Sequence, residues 1–229
     1  MLADIDNSTQ DGYSLVKQVL SQNPYVVDKL SGMSASAFTS DIMQKYFTIT
    51  RSATSSRGRI TSYDDCPAWV LFEFLSFGDL IRFYSFFYNA TGKKHLTQSA
   101  LNAVRSLRNG CAHNTCMLAN MNPGNTFAPL EVTNYVSGIS GISTSQRQKR
   151  LTCRPIAELS SLLYVYRELT STQNAHGSMD ALLELMFVRM IKHKDYFMSN
   201  DLIVRNYDFT IKVANDMFPA FTCRYCQNG

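Results

Sequence analysis

Charged residues are scarce in this chain of 229 residues, because Asp, Glu, Lys and Arg together make up 17% of it. Histidine is scarcer still, with four copies, and tryptophan occurs once. Hydrophobic residues make up 45% of the chain, a globular composition that excludes a mainly disordered protein. The net charge of +4 is compatible with nucleic-acid binding but is lower than the net charge of a strongly basic nucleic-acid-binding domain.

Long apolar runs are also missing. The longest, such as residues 68–72, are far too short to span a bilayer, and Glu73 follows directly. No N-terminal stretch combines a charged start, an apolar core and a small-residue cleavage site, so we expect no secretion by that route. The six cysteines are then read as reduced thiols. These absences predict a cytoplasmic protein that does not enter a membrane.

The signatures of several large enzyme classes are absent from the sequence. It contains no glycine-rich phosphate loop, no Gly-x-Ser-x-Gly turn and no acidic metal cluster. Cys223 and Cys226 form a single CxxC pair, which supplies only two zinc ligands, although two tails in a dimer could complete a site. Cys111, His113 and Cys116 match no standard zinc-finger spacing. We therefore expect no metal and no cofactor.

Hydrophobic periodicity predicts an all-α fold. Apolar residues recur at helical spacing, no segment alternates convincingly as a strand does, and no internal repeat occurs. Thr97 and Asn200 are predicted helix caps, and Pro67 and Pro155 mark first turns. We expect one domain over residues 1–229. The predicted helices cover residues 11–23, 25–30, 36–50, 68–88, 97–111, 155–169, 178–191 and 201–218.

Two segments outside these helices are basic. Residues 51–65 carry three arginines among Ser, Thr and Gly, with no acid before Asp64, and predict a mobile loop that either touches RNA or is simply solvated. Arg147, Lys149, Arg150 and Arg154 place four positive charges within eight residues. That cluster is a candidate phosphate-contact patch or a solvated helix entrance. Residues 132–145 favour no structural class.

The chemistry is concentrated in one predicted helix. Asn109 and His113 are four residues apart and share a face, and Arg105 extends the same row. Arg108 lies about 140° around the axis from His113, on a face expected to pack. The Arg108 guanidinium can curl round to His113 or reach across a helix contact toward a second copy of the same motif.

This residue set suits the cleavage of RNA. Imidazole can exchange protons near neutral pH with the 2′-hydroxyl or the leaving 5′-oxygen. Arginine can stabilise the negative charge that develops on the phosphate, and asparagine can hold the arginine, the histidine or the substrate. On spacing alone, a chance pair on a helix surface is the more common explanation of the pattern.

A second element makes the pattern more specific. The stretch Cys66-Pro67-Ala68-Trp69-Val70-Leu71-Phe72-Glu73-Phe74-Leu75-Ser76-Phe77-Gly78-Asp79-Leu80 precedes Arg108-Asn109-Gly110-Cys111-Ala112-His113. Together they resemble the Abi-like (abortive-infection) branch of the HEPN superfamily, in which a Pro-Trp…Glu…Phe-Gly helix precedes an Arg-Asn-x-x-x-His helix. The resemblance covers roughly residues 39–125.

The resemblance implies a HEPN-type helical bundle with a core over about residues 36–125 and additional C-terminal helices over 155–218. It implies a homodimer whose two motifs face one cleft, and a metal-independent endoribonuclease that leaves a 2′,3′-cyclic phosphate. Such proteins act as toxins in phage defence or in toxin–antitoxin pairs, so an RNA or protein antitoxin is expected.

The matched positions imply that Arg108, Asn109 and His113 are catalytic, with Glu73 as a possible fourth residue. A salt bridge at the rim of the bundle is the alternative for Glu73. Two other functions stay open at this point: a non-catalytic HEPN module that binds RNA or protein, and a purely structural helical protein. The basic residues predicted to contact RNA are Arg105, Arg147, Lys149 and Arg150.

Overall fold

The computed structural model describes residues 47–51, 58–63, 76–91, 96–124, 126–170 and 177–219. The chain divides into two compact units, residues 1–95 and 96–229. The single domain predicted from the sequence stays a prediction. The helices predicted over residues 11–23 and 25–30 lie outside the described residues.

The first unit contains a β-hairpin, which the sequence did not lead us to expect. Strand β1 (Phe47–Arg51) pairs antiparallel with strand β2 (Gly58–Tyr63), and the register shifts between Thr48 and Ile49. The predicted helix over residues 36–50 is therefore wrong at its C-terminal end. The predicted loop over residues 51–65 is wrong at Gly58–Tyr63, which form strand β2. Phe47 and Ile49 alternate with threonines, and β-branched residues at period two favour a strand.

Helix α1 (Phe77–Thr91) also belongs to the first unit and confirms the predicted helix from residue 77 onward. Ser76 caps its N-terminus, since the Ser76 Oγ accepts a hydrogen bond from the Asp79 N–H at 3.2 Å. Ile81 and Phe83 are buried, and Asp79 is buried beside the exposed Arg82, with 3.4 Å between their charged atoms.

The second unit consists of helices in its described part. Its four predicted helices are confirmed, and two more helices, Leu130–Ser137 and Thr144–Arg150, overlap the segment 132–145 that favoured no class. The predicted helix over 178–191 is irregular, because the α-helix Gly177–Glu184 continues as a π-helix over Leu185–Arg189 and ends in an α-helical turn, Met190–Lys192. The helices are α2 (Gln98–Ala112), α3 (Leu130–Ser137), α4 (Thr144–Arg150), α5 (Arg154–Leu169), α6 (Gly177–Glu184) and α7 (Asp201–Met217).

Helix α5 lies at the centre of this unit, because it packs against both α2 and α7. Pro155 stands in its first turn, as the sequence predicts, where its missing N–H costs no hydrogen bond. Leu163 of α5 and Val213 of α7 are fully buried in the same core, together with Val132 and Val136 of α3. Truncating such a leucine to alanine typically costs about 2–5 kcal/mol, so this core holds α3, α5 and α7 together.

A buried polar network ties the segment after α2 to the core. Asn206 of α7 is fully buried, and its Nδ2 donates to the Met121 carbonyl at 3.2 Å. The Arg150 Nη1 donates to the Asn206 Oδ1 at 3.1 Å. Asn206 therefore holds both the loop that follows α2 and the end of α4.

A second tie joins α3 to α7 at the surface. The Tyr135 hydroxyl donates to the Asp216 carboxylate at 2.6 Å, and the Arg167 guanidinium lies 4.0 Å from the centre of the Tyr135 ring. Burial and the bond to Asp216 raise the pKa of Tyr135 to about 12, although the charge of Arg167 opposes the shift.

The all-α class predicted from the sequence is confirmed, with the hairpin as the departure in the described chain. Within the same described ranges, no helix has the length and apolar character needed to cross a bilayer.

Candidate functional site

The side chains of the candidate site lie at the C-terminal end of α2. The predicted cap is confirmed at the other end, where the Thr97 Oγ1 accepts a hydrogen bond from the Ala100 N–H at 3.2 Å. The helix ends at Ala112, and His113 is its C-cap, with its backbone N–H donating to the Asn109 carbonyl at 3.0 Å. The His113 side chain is exposed, so it is open to a ligand.

The chain turns sharply after His113. Asn114 adopts a φ of 52°, a left-handed conformation that asparagine tolerates better than most residues. The Thr115 N–H donates to the Gly110 carbonyl at 2.9 Å, which folds the following segment back against the last turn of α2. The segment packs closely on Gly110, because a Cβ there would lie in contact with the Met117 sulfur, 3.4 Å away.

This turn forms one wall of a cavity of about 520 Å³. The α2 side of the cavity carries Ser106, Asn109, Gly110 and His113, which follow the spacing of one helix face. The shared face of Asn109 and His113 predicted from the sequence is confirmed. The opposite wall comes from the start of α5, namely Arg154, Pro155 and Glu158.

Arg108 lies outside the described lining of this cavity. Its side chain is exposed, and its Nη1 donates to the Asn109 Oδ1 at 3.2 Å. Of the three roles that the sequence left open for Asn109, the structure therefore shows the bond to the arginine. The packed face predicted for Arg108 and Cys111 is wrong, since both residues are exposed while Leu101 of the same helix is buried.

Arg154 lines the cavity together with His113. The sequence groups it with the basic cluster ahead of α5 as a candidate phosphate contact, and that role stays a prediction. Its Nε donates to the Glu158 Oε1 and its Nη2 to the Ser106 Oγ, both at 2.8 Å. The spacing of Arg154 and Glu158 indicates an ion pair, but only the packing of α5 on α2 brings that pair to Asn109.

The other residues of the basic cluster differ from one another in exposure. Lys149 is exposed and Arg147 is half-buried, both in the last turn of α4, where the helix dipole favours cations. Arg150 is 8% exposed and bonded to Asn206. This burial does not fit the predicted RNA contact of Arg150, and we assign it to the core network. Arg105 is exposed on α2 and does not line the cavity.

Three predicted residues lie outside the described residues: Glu73 and the pair Cys223 and Cys226. Among the described side chains, no group of three His, Cys, Asp or Glu residues is arranged to hold a metal ion. Cys111 and Cys116 are free and exposed.

The arrangement combines groups that can act on a phosphate ester. An exposed imidazole can exchange protons, and the Arg154 guanidinium in the same cavity lining can donate to phosphate oxygens. The Asn109 amide joins the cavity to the Arg108 guanidinium on the neighbouring face.

Fold and site together define a helical protein with a cavity between the end of one helix and the start of another. Residues 9–119, a segment that contains Arg108, Asn109 and His113, match the family model described as Abi-like protein. The match begins well upstream of the resemblance seen in the sequence and ends before Arg154. No curated protein and no solved structure matches the chain. The Abi-like family points to abortive infection, a defence against phage.

Proposed function

We propose that this chain is a metal-independent endoribonuclease toxin of abortive infection or of a toxin–antitoxin pair. The observation that carries the proposal is the placement of Asn109 and His113 in one cavity, within the Abi-like segment. The resemblance of Arg108-Asn109 and His113 to the Arg-Asn-x-x-x-His motif of HEPN ribonucleases supplies the reaction class.

The proposed reaction forms a bond from the ribose 2′-oxygen to the adjacent phosphorus and breaks the bond from phosphorus to the 5′-oxygen. The proton leaves the 2′-hydroxyl, a proton reaches the 5′-oxygen, and a 2′,3′-cyclic phosphate remains. His113 exchanges one of these protons, and such transfer is worth roughly 10²–10⁴ in rate. Arg108 stabilises the charge on the phosphate, and Asn109 orients Arg108 through the observed bond.

The position of Arg108 supports a site shared by two copies of the chain. Its guanidinium is exposed and lies outside the cavity that holds His113 of its own chain. In a homodimer that pairs the two α2 ends, Arg108 of one copy reaches the cavity of the other. Arg105, Arg147 and Lys149 then contact RNA phosphates away from the cleaved bond.

Glu73 is proposed as a fourth member of the site that orients Arg108 or His113. A Glu73→Gln variant keeps the volume of the side chain and removes its charge. We expect slower cleavage with unchanged thermal stability, measured as the single-turnover rate and the unfolding midpoint. Loss of stability without loss of rate would support a structural salt bridge instead.

Cleavage of RNA in EDTA tests the proposed function. We expect wild-type protein to cut, and His113→Ala and Arg108→Ala to lose at least about 10²-fold in rate. His193→Ala is the matched control, because His193 is also an exposed C-cap histidine. Equal cleavage by all four proteins, or an absolute need for metal, would contradict the proposal.

A second candidate is a non-catalytic module that clamps RNA. The exposure of Arg108 outside the His113 cavity favours it, because a clamp needs no proton exchange. It predicts salt-sensitive RNA binding that Arg108→Ala weakens, without strand scission. Expression in a bacterium separates the two candidate functions. If the chain is a toxin, the wild-type protein stops growth and the His113→Ala variant does not. If it is a clamp, neither protein changes growth.

A further inference from the structure

Arg154 opens helix α5 and lines the same cavity as Asn109 and His113. It lies beyond the Abi-like segment, which ends at residue 119. Among the described lining residues of the cavity, Arg154 supplies the guanidinium, because Arg108 of the same chain lies outside that lining.

Two hydrogen bonds fix the position of Arg154. Its Nε donates to the Glu158 carboxylate, one turn later on α5, and its Nη2 donates to the Ser106 hydroxyl on α2. Ser106 shares the helix face of Asn109 and His113. The guanidinium is therefore anchored to the face that carries the imidazole, as well as to its own helix.

The exposure of the two partners differs strongly. The Arg154 side chain is 67% exposed, whereas the Glu158 side chain is 10% exposed. A surface ion pair leaves both ends in solvent, but here the carboxylate is held inside and the cation faces the cavity. A guanidinium carries more N–H donors than these two bonds use, and the others are available to an anion.

We propose that Arg154 binds the phosphate at the cleaved bond, and that Glu158 and Ser106 position it. The inference rests on the proposed ribonuclease function and deepens it. Arg154 supplies charge from the same chain as His113, while Arg108 supplies it from the second copy. Forked donation to phosphate oxygens is the geometry that arginine provides and lysine does not.

The test compares single-turnover cleavage at saturating RNA, in EDTA, for wild type, Arg154→Ala and Arg154→Lys. We expect a fall of about 10²-fold for alanine, as for the loss of one donor to developing charge, and a partial recovery for lysine. Arg82→Ala is the matched control, because Arg82 is 56% exposed and pairs with Asp79, which is 6% exposed. Circular dichroism and the unfolding midpoint confirm that each variant folds.

The positioning role has its own readout. Glu158→Gln keeps the side-chain volume, so we expect a lower kcat at unchanged KM and unchanged unfolding midpoint. A lower midpoint with unchanged kcat would overturn the positioning role.

The outcomes separate the two hypotheses. If wild type cleaves, His113→Ala does not, and Arg154→Ala cleaves as well as Arg82→Ala, the role of Arg154 is overturned and the proposed function stands. If wild type does not cleave RNA, both are overturned.

Discussion

At the scale of single residues, Asn206 shows how the core supports the site. It is fully buried, accepts a hydrogen bond from the Arg150 guanidinium and donates one to the Met121 carbonyl. A buried group that loses its hydrogen-bond partner costs most when that group is itself charged, as Arg150 is. The network therefore carries more stability than a surface contact of the same length.

We predict that Asn206→Leu lowers the free energy of unfolding by about 1.5–3 kcal/mol, because it leaves the Arg150 charge without this acceptor. Arg205→Ala is the control. It removes an exposed ion pair to Asp201, with charged atoms 2.9 Å apart, and should cost at most about 0.5 kcal/mol. Urea unfolding measures both, and equal losses would contradict the assigned role of the network.

Tyr135 gives a prediction for high pH. Its pKa is raised from 10.0 to about 12, so the folded state favours the neutral phenol. That stability is fully present below pH 10.0 and is lost as pH rises through about 12. Wild type should lose stability faster than Tyr135→Phe over this window in urea unfolding, and parallel curves would contradict the prediction. Tyr164 and Tyr207 also have raised pKa values. Because both residues remain in Tyr135→Phe, that variant should also lose some stability over this window, but less than wild type.

Single residues also show what the sequence could predict. The four-residue spacing of Asn109 and His113 is a local property of a helix, and it placed both on one face. The partnership of Arg154 with Ser106 spans two helices, so no spacing rule could reveal it. The same holds for Arg150, whose charge suggested exposure but whose partner Asn206 comes from a distant helix.

At the scale of elements, the end of α2 combines helix geometry with cavity shape. Gly110 is inside the helix and close to its last turn, where glycine is less favourable than alanine. An added Cβ would meet the Met117 sulfur at 3.4 Å, an ordinary contact with a flexible side chain.

We predict that Gly110→Ala raises the free energy of unfolding by about 0.5 kcal/mol. Gly124→Ala should do the opposite, because Gly124 has a φ of 109°, a conformation that strains any residue with a Cβ. The midpoint of thermal unfolding, measured for both variants and for wild type, checks the two predictions. A lower midpoint for Gly110→Ala would show that the turn after His113 does not tolerate the methyl group.

Elements with strong local signals were predictable, as the caps Thr97 and Asn200 and the early Pro155 show. The hairpin was missed because Phe47 also fits a helical stripe and the strands are short. The π-helix in residues 185–189 makes a tertiary contact, since the Tyr207 hydroxyl donates to the Met186 carbonyl at 2.6 Å. Such a contact leaves no local signal in the sequence.

At the scale of the whole molecule, the proposed homodimer predicts complementation. Arg108→Ala and His113→Ala should each be inactive alone, but a mixed dimer restores one of its two shared sites. Random exchange of subunits should then recover about a quarter of the wild-type cleavage rate. Recovery measured after mixing and refolding tests this prediction. A mixture as inactive as its components would show that both residues act within one chain.

The central claim is that His113 and the arginines drive attack by the 2′-hydroxyl without metal. Analysis of the 3′ ends of the RNA fragments made in EDTA tests it most directly. The account predicts 2′,3′-cyclic phosphate ends from wild type and His193→Ala, and no cleavage by His113→Ala. Fragments ending in a 3′-hydroxyl, or cleavage that continues in His113→Ala, would contradict it.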